Sequence, residues 1–260
     1  MQKYGQHFLT DENVVTQIVD AALLLRAGQV VEIGPGKGAL TTALIARGVE
    51  KFTVVEIDPD MVAYLAAHLP KEAGIKIVQE NFLHFNLADL PAVPTTFISN
   101  LPYIDAAEIL DKVLSWPHFQ TAVFMFQKEH TQKIRANAGD EFYGPLSIFS
   151  QLRARVSLIC KAGRGCFTPP PKVESAVLAF EKITPPDVEW EKLRHVVVAA
   201  FLHRRKTLFN ALILAGYDKE QTSTAITSLH LPLTVRAEQL APADYVRLTR
   251  VFTSCNKYSF

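Results

Sequence analysis

Between residues 29 and 126, short apolar runs alternate with stretches of helical spacing, and this alternation restricts the fold more than any other feature. QVVEIG (29–34), FTVVEID (52–58), IKIVQ (75–79), TTFIS (95–99) and TAVFMF (121–126) read as buried strands. GALTTALIARG (38–48) has helical spacing through Leu40, Ala43, Leu44 and Arg47. DPDMVAYLAAHL (58–69) opens with Asp58 at a capping position and Pro59 at the first helical one. Further helices are expected around 105–115 and 128–136. Strands alternating with helices build a parallel sheet covered on both faces, so the expected fold class is α/β. RARVSLIC (153–160) and ESAVLAF (174–180) follow without a long intervening helix and read as an antiparallel closing pair.

KITPPDVEW (182–190) is a proline-containing linker, and the pattern changes after it. Residues 190–214, 218–229 and 242–253 read as amphipathic helices. Two domains are therefore expected, 1–182 and a smaller, all-helical 183–260. With 48% apolar and 20% charged residues the chain can bury an ordinary core. A net charge of +1 gives no overall field, so a nucleic-acid partner needs a local basic patch. Cys160, Cys166 and Cys255 are an odd set without a paired motif, which suggests a reducing, cytoplasmic setting. MQKYGQHFLTDEN lacks the apolar stretch of a signal peptide, and no run approaches the ~20 residues of a membrane span. His7, His84, His118, His130 and His203 are scattered, so no metal site is expected.

Polar chemistry collects at the expected strand ends. In EIGPGKG (32–38), Gly34, Gly36 and Gly38 allow a tight turn and close approach of a ligand. The helix that follows offers free N–H groups and the positive end of its dipole. The spacing is G-x-G-x-G, preceded by Glu32, and departs from the dinucleotide fingerprint. Taken alone, the loop serves equally well as a plain glycine-rich turn. Glu56 ends the next strand, where an acid can take both ribose hydroxyls. In QENF (79–82), Asn81 can hydrogen-bond an adenine edge while Phe82 or Leu83 packs on the ring. Singly, Glu56 also reads as a solvated strand end and Asn81 as a turn residue. Together they mark the rim where open α/β sheets bind ligands.

SNLPY (99–103) supplies another strand end, although Asn and Pro are poor strand residues. An adenine amino group is a weak nucleophile because its lone pair is delocalised into the ring. Two acceptors, the Asn100 side-chain oxygen and the Leu101 carbonyl, can hold its two hydrogens. The nitrogen then turns tetrahedral, with its lone pair free to attack a methyl sulfonium. Pro102 stiffens the loop and Tyr103 can stack on the base. A simple proline turn is the competing reading of these residues taken alone.

The motifs extend over nearly the whole chain, which resembles the small-subunit ribosomal RNA adenine dimethyltransferases. These are S-adenosylmethionine enzymes of Rossmann-like fold. GQHFL (5–9) is similar to the family's N-terminal motif over the methionine end of the cofactor, which implicates Gln6, His7 and Leu9. EIGPGKGALT (32–41) resembles the cofactor loop, VEID (55–58) the ribose-binding acid with Ile57 beside it, and NLPY (100–103) the catalytic motif. FQKE (126–129) and YGPLS (143–147) also fall where the family has similar words. FTPPPKVESAV (167–177) resembles a segment whose phenylalanine stacks on the target base, here Phe167. FLHRRKTLFNAL (201–212) resembles the signature of the helical C-terminal domain.

The resemblance implies a Rossmann-like methyltransferase domain with a smaller helical domain, using S-adenosylmethionine. It implies transfer of two methyl groups to each of two adjacent adenosines in the 3′-terminal hairpin loop of small-subunit RNA, and a role in assembling that subunit. The partner is then the small-subunit RNA or the immature subunit, and the protein is expected to act as a monomer. Arg204, Arg205 and Lys206 on one helical turn and a cluster of Arg153, Arg155, Lys161, Arg164 and Lys172 are expected to line one phosphate-contacting surface.

Three alternatives compete. Macrolide-resistance methyltransferases of large-subunit RNA share the first half, but usually have isoleucine where Leu101 stands and lack the HRRKTL helix. An assembly factor with dispensable catalysis would need the RNA surface but not NLPY. A nicotinamide oxidoreductase would leave NLPY without a task. Two departures from the family stand out: Asn81 occupies a position usually held by aspartate, keeping an acceptor and gaining a donor, and IDAAE (104–108) places Asp105 and Glu108 near the rim.

Overall fold

The computed structural model describes residues 7–26 and 28–254. They form two compact units. The first runs through Thr131 and resumes over Ala154–Ile183, and the second combines Gln132–Arg153 with the chain from Thr184 onward.

The first unit opens with strand β1 (Phe8–Leu9) and helix α1 (Glu12–Leu24). Sequence patterning did not single out α1, yet its signals are ordinary. Asp11 accepts the N–H of Val14 as an N-cap, and Val14, Ile18, Val19 and Ala22 bury one face. Then follow β2 (Gln29–Ile33), α2 (Ala39–Ala46), β3 (Thr53–Glu56), α3 (Pro59–His68), β4 (Lys76–Gln79), β5 (Thr95–Asn100), α4 (Ala106–Ser115) and β6 (Phe119–Gln127). Helix α5 (Lys128–Arg135) leads out of the unit and α6 (Pro145–Gln151) lies beyond it, before β7 (Ala154–Ala162), β8 (Phe167–Thr168) and β9 (Ser175–Lys182) return. The seven-stranded sheet has the order β4-β3-β2-β5-β6-β9-β7. Neighbours from β4 to β6 are parallel, while β9 runs antiparallel to both β6 and β7, which is the expected closing pair. The central strands are apolar almost throughout, as strands covered on both faces must be.

The strand order positions the site. From β2 the chain moves outward through β3 to β4, then crosses back and places β5 on the other side of β2. The loops after β2 and β5 therefore diverge and leave a crevice at their carboxyl ends. Ser99 reinforces this pair by donating its hydroxyl to the Ile33 carbonyl at 2.5 Å. A separate two-stranded ribbon pairs β1 with β8, with Leu9 opposite Phe167.

The second unit is helical: α5's end, α6, α7 (Trp190–Leu202), α8 (Leu208–Leu214), α9 (Lys219–Ser228) and α10 (Pro242–Ser254). The expected boundary at 182/183 assigns 132–153 to the first domain, and the structure corrects this. Tyr143, Ile148, Phe149 and Leu152 join one core with Leu193, Val197, Leu212 and Tyr245. The Tyr143 hydroxyl donates to the Leu240 carbonyl at 2.8 Å, and the Tyr245 hydroxyl to Ala237 at 2.8 Å. A second correction concerns 190–214, which is not one helix. The chain turns at His203–Lys206, with the Lys206 N–H on the His203 carbonyl, and Thr207 caps α8 through its hydroxyl. Arg204, Arg205 and Lys206 thus lie on a connecting turn and not on a helical face.

Candidate active site

A cleft opens at the carboxyl ends of β2, β3 and β5. Its floor is the loop after β2, where Gly34, Pro35, Gly36 and Lys37 lead into Ala39 and Leu40 of α2. Gly36 has φ +55°, and a Cβ built on it would meet the Phe8 ring at 3.1 Å. Only glycine satisfies both conditions, the left-handed backbone and the ring packed against it. Gly34 has φ +61° with open space where a side chain would be, so the backbone there is bare toward the cleft. Gly38 does not line the cleft. It is the left-handed N-cap of α2, where a Cβ would meet Leu65 at 2.9 Å, so its task is packing the loop onto α3.

Two buried carboxylates face this loop. Glu32, 1% exposed, accepts the Thr41 hydroxyl at 2.6 Å. Burial pushes its carboxyl up to about 8, against the Thr41 hydrogen bond, and repulsion from Glu56 adds to the rise. Glu56 accepts Gly36 N–H on Oε2 and Asp58 N–H on Oε1, each at 2.9 Å. Burial also raises this carboxyl, while those N–H donors oppose the rise. Each oxygen keeps a second lone pair for a ligand hydroxyl. Ile57 adds an apolar wall beside it.

The rim opposite is NLPY. Asn100 ends β5 and donates Nδ2 to the His7 carbonyl at 3.1 Å, which leaves Oδ1 as the acceptor. Leu101 is buried and its N–H reaches the Met125 carbonyl at 3.3 Å. Tyr103 is half-buried, its hydroxyl 3.3 Å from Ser175 Oγ and its ring 5.7 Å from that of His7. Burial holds the Tyr103 hydroxyl above the ordinary tyrosine range, so it stays protonated. His7 Nδ1–H donates to the Pro169 carbonyl at 2.8 Å. The β1 segment is therefore fastened at once to NLPY and to the proline-rich stretch after β8. His7, Phe8 and Leu9 all line the cleft.

The structure thus brings together His7, Leu9, Glu32, Gly34, Gly36, Glu56, Ile57, Asn100, Leu101, Pro102 and Tyr103. Phe8 and Lys37 are additions the sequence reading passed over. The Lys37 ammonium sits 4.9 Å from the centre of the Phe8 ring; in the sequence the two are marked only by lying within EIGPGKG and GQHFL. Gln6 lies outside the described residues.

Other sequence assignments need correction. Asn81 and Phe82 are not among the cleft-lining residues. Asn81 Oδ1 accepts the Leu83 N–H at 2.9 Å in a tight turn, so its oxygen is engaged and its amide N–H₂ is the group left over. Phe82 is buried against Phe85 and Phe97 and supports the loop from beneath. Phe167 is 3% exposed, packed in the core with Leu9, Ile18 and Val177, and offers no open face for a base. Arg153 is 8% exposed and its guanidinium lies 4.0 Å from the centre of the Trp190 ring, so it is a packing residue and no phosphate contact. Arg155, Lys172, Arg204, Arg205 and Lys206 are exposed, and Arg204 also donates to the Glu141 carbonyl. Among the described residues no helix is long and apolar enough to cross a membrane, and no group of three or more His, Cys, Asp or Glu side chains could hold a metal ion.

A parallel sheet with this switch point, a glycine loop facing two acids and an Asn-Leu-Pro-Tyr rim define a Rossmann-like methyltransferase. The chain belongs to the ribosomal RNA adenine dimethylase family, whose profile matches residues 1–254. It is 36% identical over 257 residues to "Ribosomal RNA small subunit methyltransferase A" of Shewanella piezotolerans, covering 96% of this chain and 93% of that protein. The namesake of Leuconostoc citreum is 37% identical over 256 residues, covering 92% and 85%. Among solved structures, a dimethyladenosine transferase from Plasmodium falciparum superposes with TM-score 0.82 at 23% identity, covering 98% of this chain and 100% of that one, and shares the fold. The 23S rRNA methyltransferase ErmE superposes with TM-score 0.67 at 26% identity, covering 95% and 99%.

Proposed function

We propose that this protein methylates N6 of adenosine in small-subunit ribosomal RNA, adding two methyl groups to each of two adjacent adenosines in the 3′-terminal hairpin loop. Assembly of the small subunit is the setting of that reaction. The observation that carries the reading is the orientation of Asn100. Its nitrogen is committed to His7, so the oxygen stands ready for an adenine amino group. The Leu101 carbonyl is the second acceptor. Together they hold both amino hydrogens and turn the nitrogen's lone pair out of conjugation with the ring. Tyr103 stacks on the base, a contact worth about 1–3 kcal/mol in comparable sites.

S-Adenosylmethionine fits the cleft, and when bound supplies an electrophilic methyl carbon on a sulfonium. The bare backbone at Gly34, the lone pairs of Glu56 and the apolar side chains of Phe8, Leu9 and Ile57 match a nucleoside with an amino-acid arm. Glu56 would take ribose hydroxyls and Glu32 would face the cationic arm. Exposed Arg155, Lys172, Arg204, Arg205 and Lys206 would contact phosphates. We take the protein to act as a monomer in the cytoplasm.

The small-subunit target is preferred to the large-subunit one because the relatives named for it are more similar in sequence than ErmE. Mass spectrometry of the small-subunit hairpin after incubation with protein and S-adenosylmethionine tests the proposal. Mass gains on adjacent adenosines are expected. An unmodified hairpin, or modification of large-subunit RNA instead, overturns it.

A further inference from the structure

Ile104 follows Tyr103 at the rim of the cleft and is 90% exposed. Single exposed apolar residues are common and mean little by themselves. Leu24, 86% exposed, closes α1 just ahead of β2 and so lies at the amino end of the sheet, away from the cleft. Ile104 differs in its place and in its support. Three residues before it, Leu101 is buried and bonded to β6 through Met125. Two residues after it, Ala106 is buried as α4 begins, and the Asp105 carbonyl already accepts the Ile109 N–H. Tyr103 itself is held at Ser175. A stiff, β-branched side chain is thus presented to solvent from a backbone fixed on both sides, one residue beyond the ring that receives the target base.

The charges around it narrow the partner. Asp105 and Glu108 follow Ile104 within four residues, so this stretch of rim carries negative charge and disfavours a phosphate backbone. What it can accept is the apolar face of a base. An adenosine drawn into the cleft leaves a gap in its stack, and methyltransferases that act on a base must meet the cost of opening that gap. Apolar side chains wedged between base steps fill such gaps elsewhere.

We infer that Ile104 is a specificity-determining wedge that enters the RNA loop as the target adenosine leaves it and takes the vacated place in the stack. This rests on the adenosine methylation proposed above. An ordered partner gains little extra rotamer cost here, because the backbone is already fixed and the side chain has few rotamers.

The test compares Ile104→Ala and Ile104→Leu with the unaltered protein on two RNAs. One is the hairpin, and the other a short unstructured oligonucleotide whose adenosine needs no extraction. A third readout is 2-aminopurine fluorescence beside the target in the hairpin, which rises on unstacking. Ile104→Ala should lower kcat/KM on the hairpin by about tenfold or more, with the change on the unstructured RNA within about twofold. The fluorescence rise should shrink, and Ile104→Leu should restore both. Equal losses on the two RNAs, or an unchanged hairpin rate, overturn the wedge. If the unaltered protein methylates neither RNA, the methylation reading itself fails, a result distinct from the other two.

Discussion

Asn100 and His7, 93 residues apart in sequence, are joined by a 3.1 Å hydrogen bond from the asparagine amide to the histidine carbonyl. The bond fixes which end of the amide faces the cleft. It also explains why the N-terminal strand belongs to the site: it is a scaffold for the NLPY loop as well as a cleft wall. Replacing Asn100 with alanine removes one of the two acceptors proposed for the amino group. Methyl transfer in single turnovers should fall about 10²–10³-fold, by analogy with loss of one preorganised hydrogen-bonding group in other enzymes. RNA retention on a filter should be unchanged, since no phosphate contact is lost. Equal loss of both would mean that Asn100 shapes the RNA surface.

Gly36→Ala meets two obstacles, a left-handed backbone and the Phe8 ring at 3.1 Å. Gly48→Ala meets only the first, with φ +74° and nothing within 4 Å. Both variants should lose about 1–2 kcal/mol of stability from the backbone alone. Only Gly36→Ala should weaken S-adenosylmethionine binding in calorimetry, by about tenfold or more, as Phe8 is displaced from the cleft wall. Matching affinities for the two variants would show that the Phe8–Gly36 contact does not shape the cleft.

Glu32 gives the fold a definite pH dependence. Its carboxyl is pushed up from 4.5 to about 8 by burial, so between those values the folded protein holds a proton that the unfolded chain has released. Folding is then favoured at low pH, and this contribution is lost as pH rises toward 8, with a limiting slope of about 1.4 kcal/mol per pH unit. Glu32→Gln mimics the protonated form and should flatten the fall in denaturation midpoint between pH 5 and 8. The same slope in both proteins would place the titration elsewhere.

Lys112 on α4 donates to three carbonyls of the loop after β4: Phe82 at 2.8 Å, Leu83 at 2.8 Å and Phe85 at 2.6 Å. Its ammonium also lies 5.3 Å from the centre of the Phe82 ring. One side chain thereby ties the Asn81 loop to the helix that follows NLPY. Lys112→Met keeps the stem and removes the donors. It should cost about 2 kcal/mol of stability and speed hydrogen exchange at residues 83–85. Unchanged exchange would show that the loop holds its shape without the lysine.

The parallel sheet, the glycine turn and the acids were legible because each leaves a local mark: apolar runs, glycine spacing, a carboxylate at a strand end. Asn100 and Tyr103 were legible for the same reason. What escaped depends on partners distant in sequence. Asn81 reads as a free amide until the turn occupies its oxygen. Phe167 is a stacking ring by family resemblance alone, and in the structure β8 pairs with β1 and the ring is buried. Arg153 carries the same charge as Arg155, but Trp190 claims it. The break at His203–Lys206 was hidden because both flanking segments have helical spacing, and only the cap at Thr207 marks the restart. Helix α1 was missed although its cap and apolar face were there to be read.

The departure of the chain at Thr131 and its return at Ala154 make the helical body discontinuous in sequence. During synthesis the first visit emerges well before the segments that complete its core, so Tyr143, Ile148 and Phe149 must wait, unburied, for partners some fifty to a hundred positions downstream. Neither half can be cloned by a single cut. A shortened gene stopping at the proline linker would leave a sticky, half-made insert on an otherwise finished sheet.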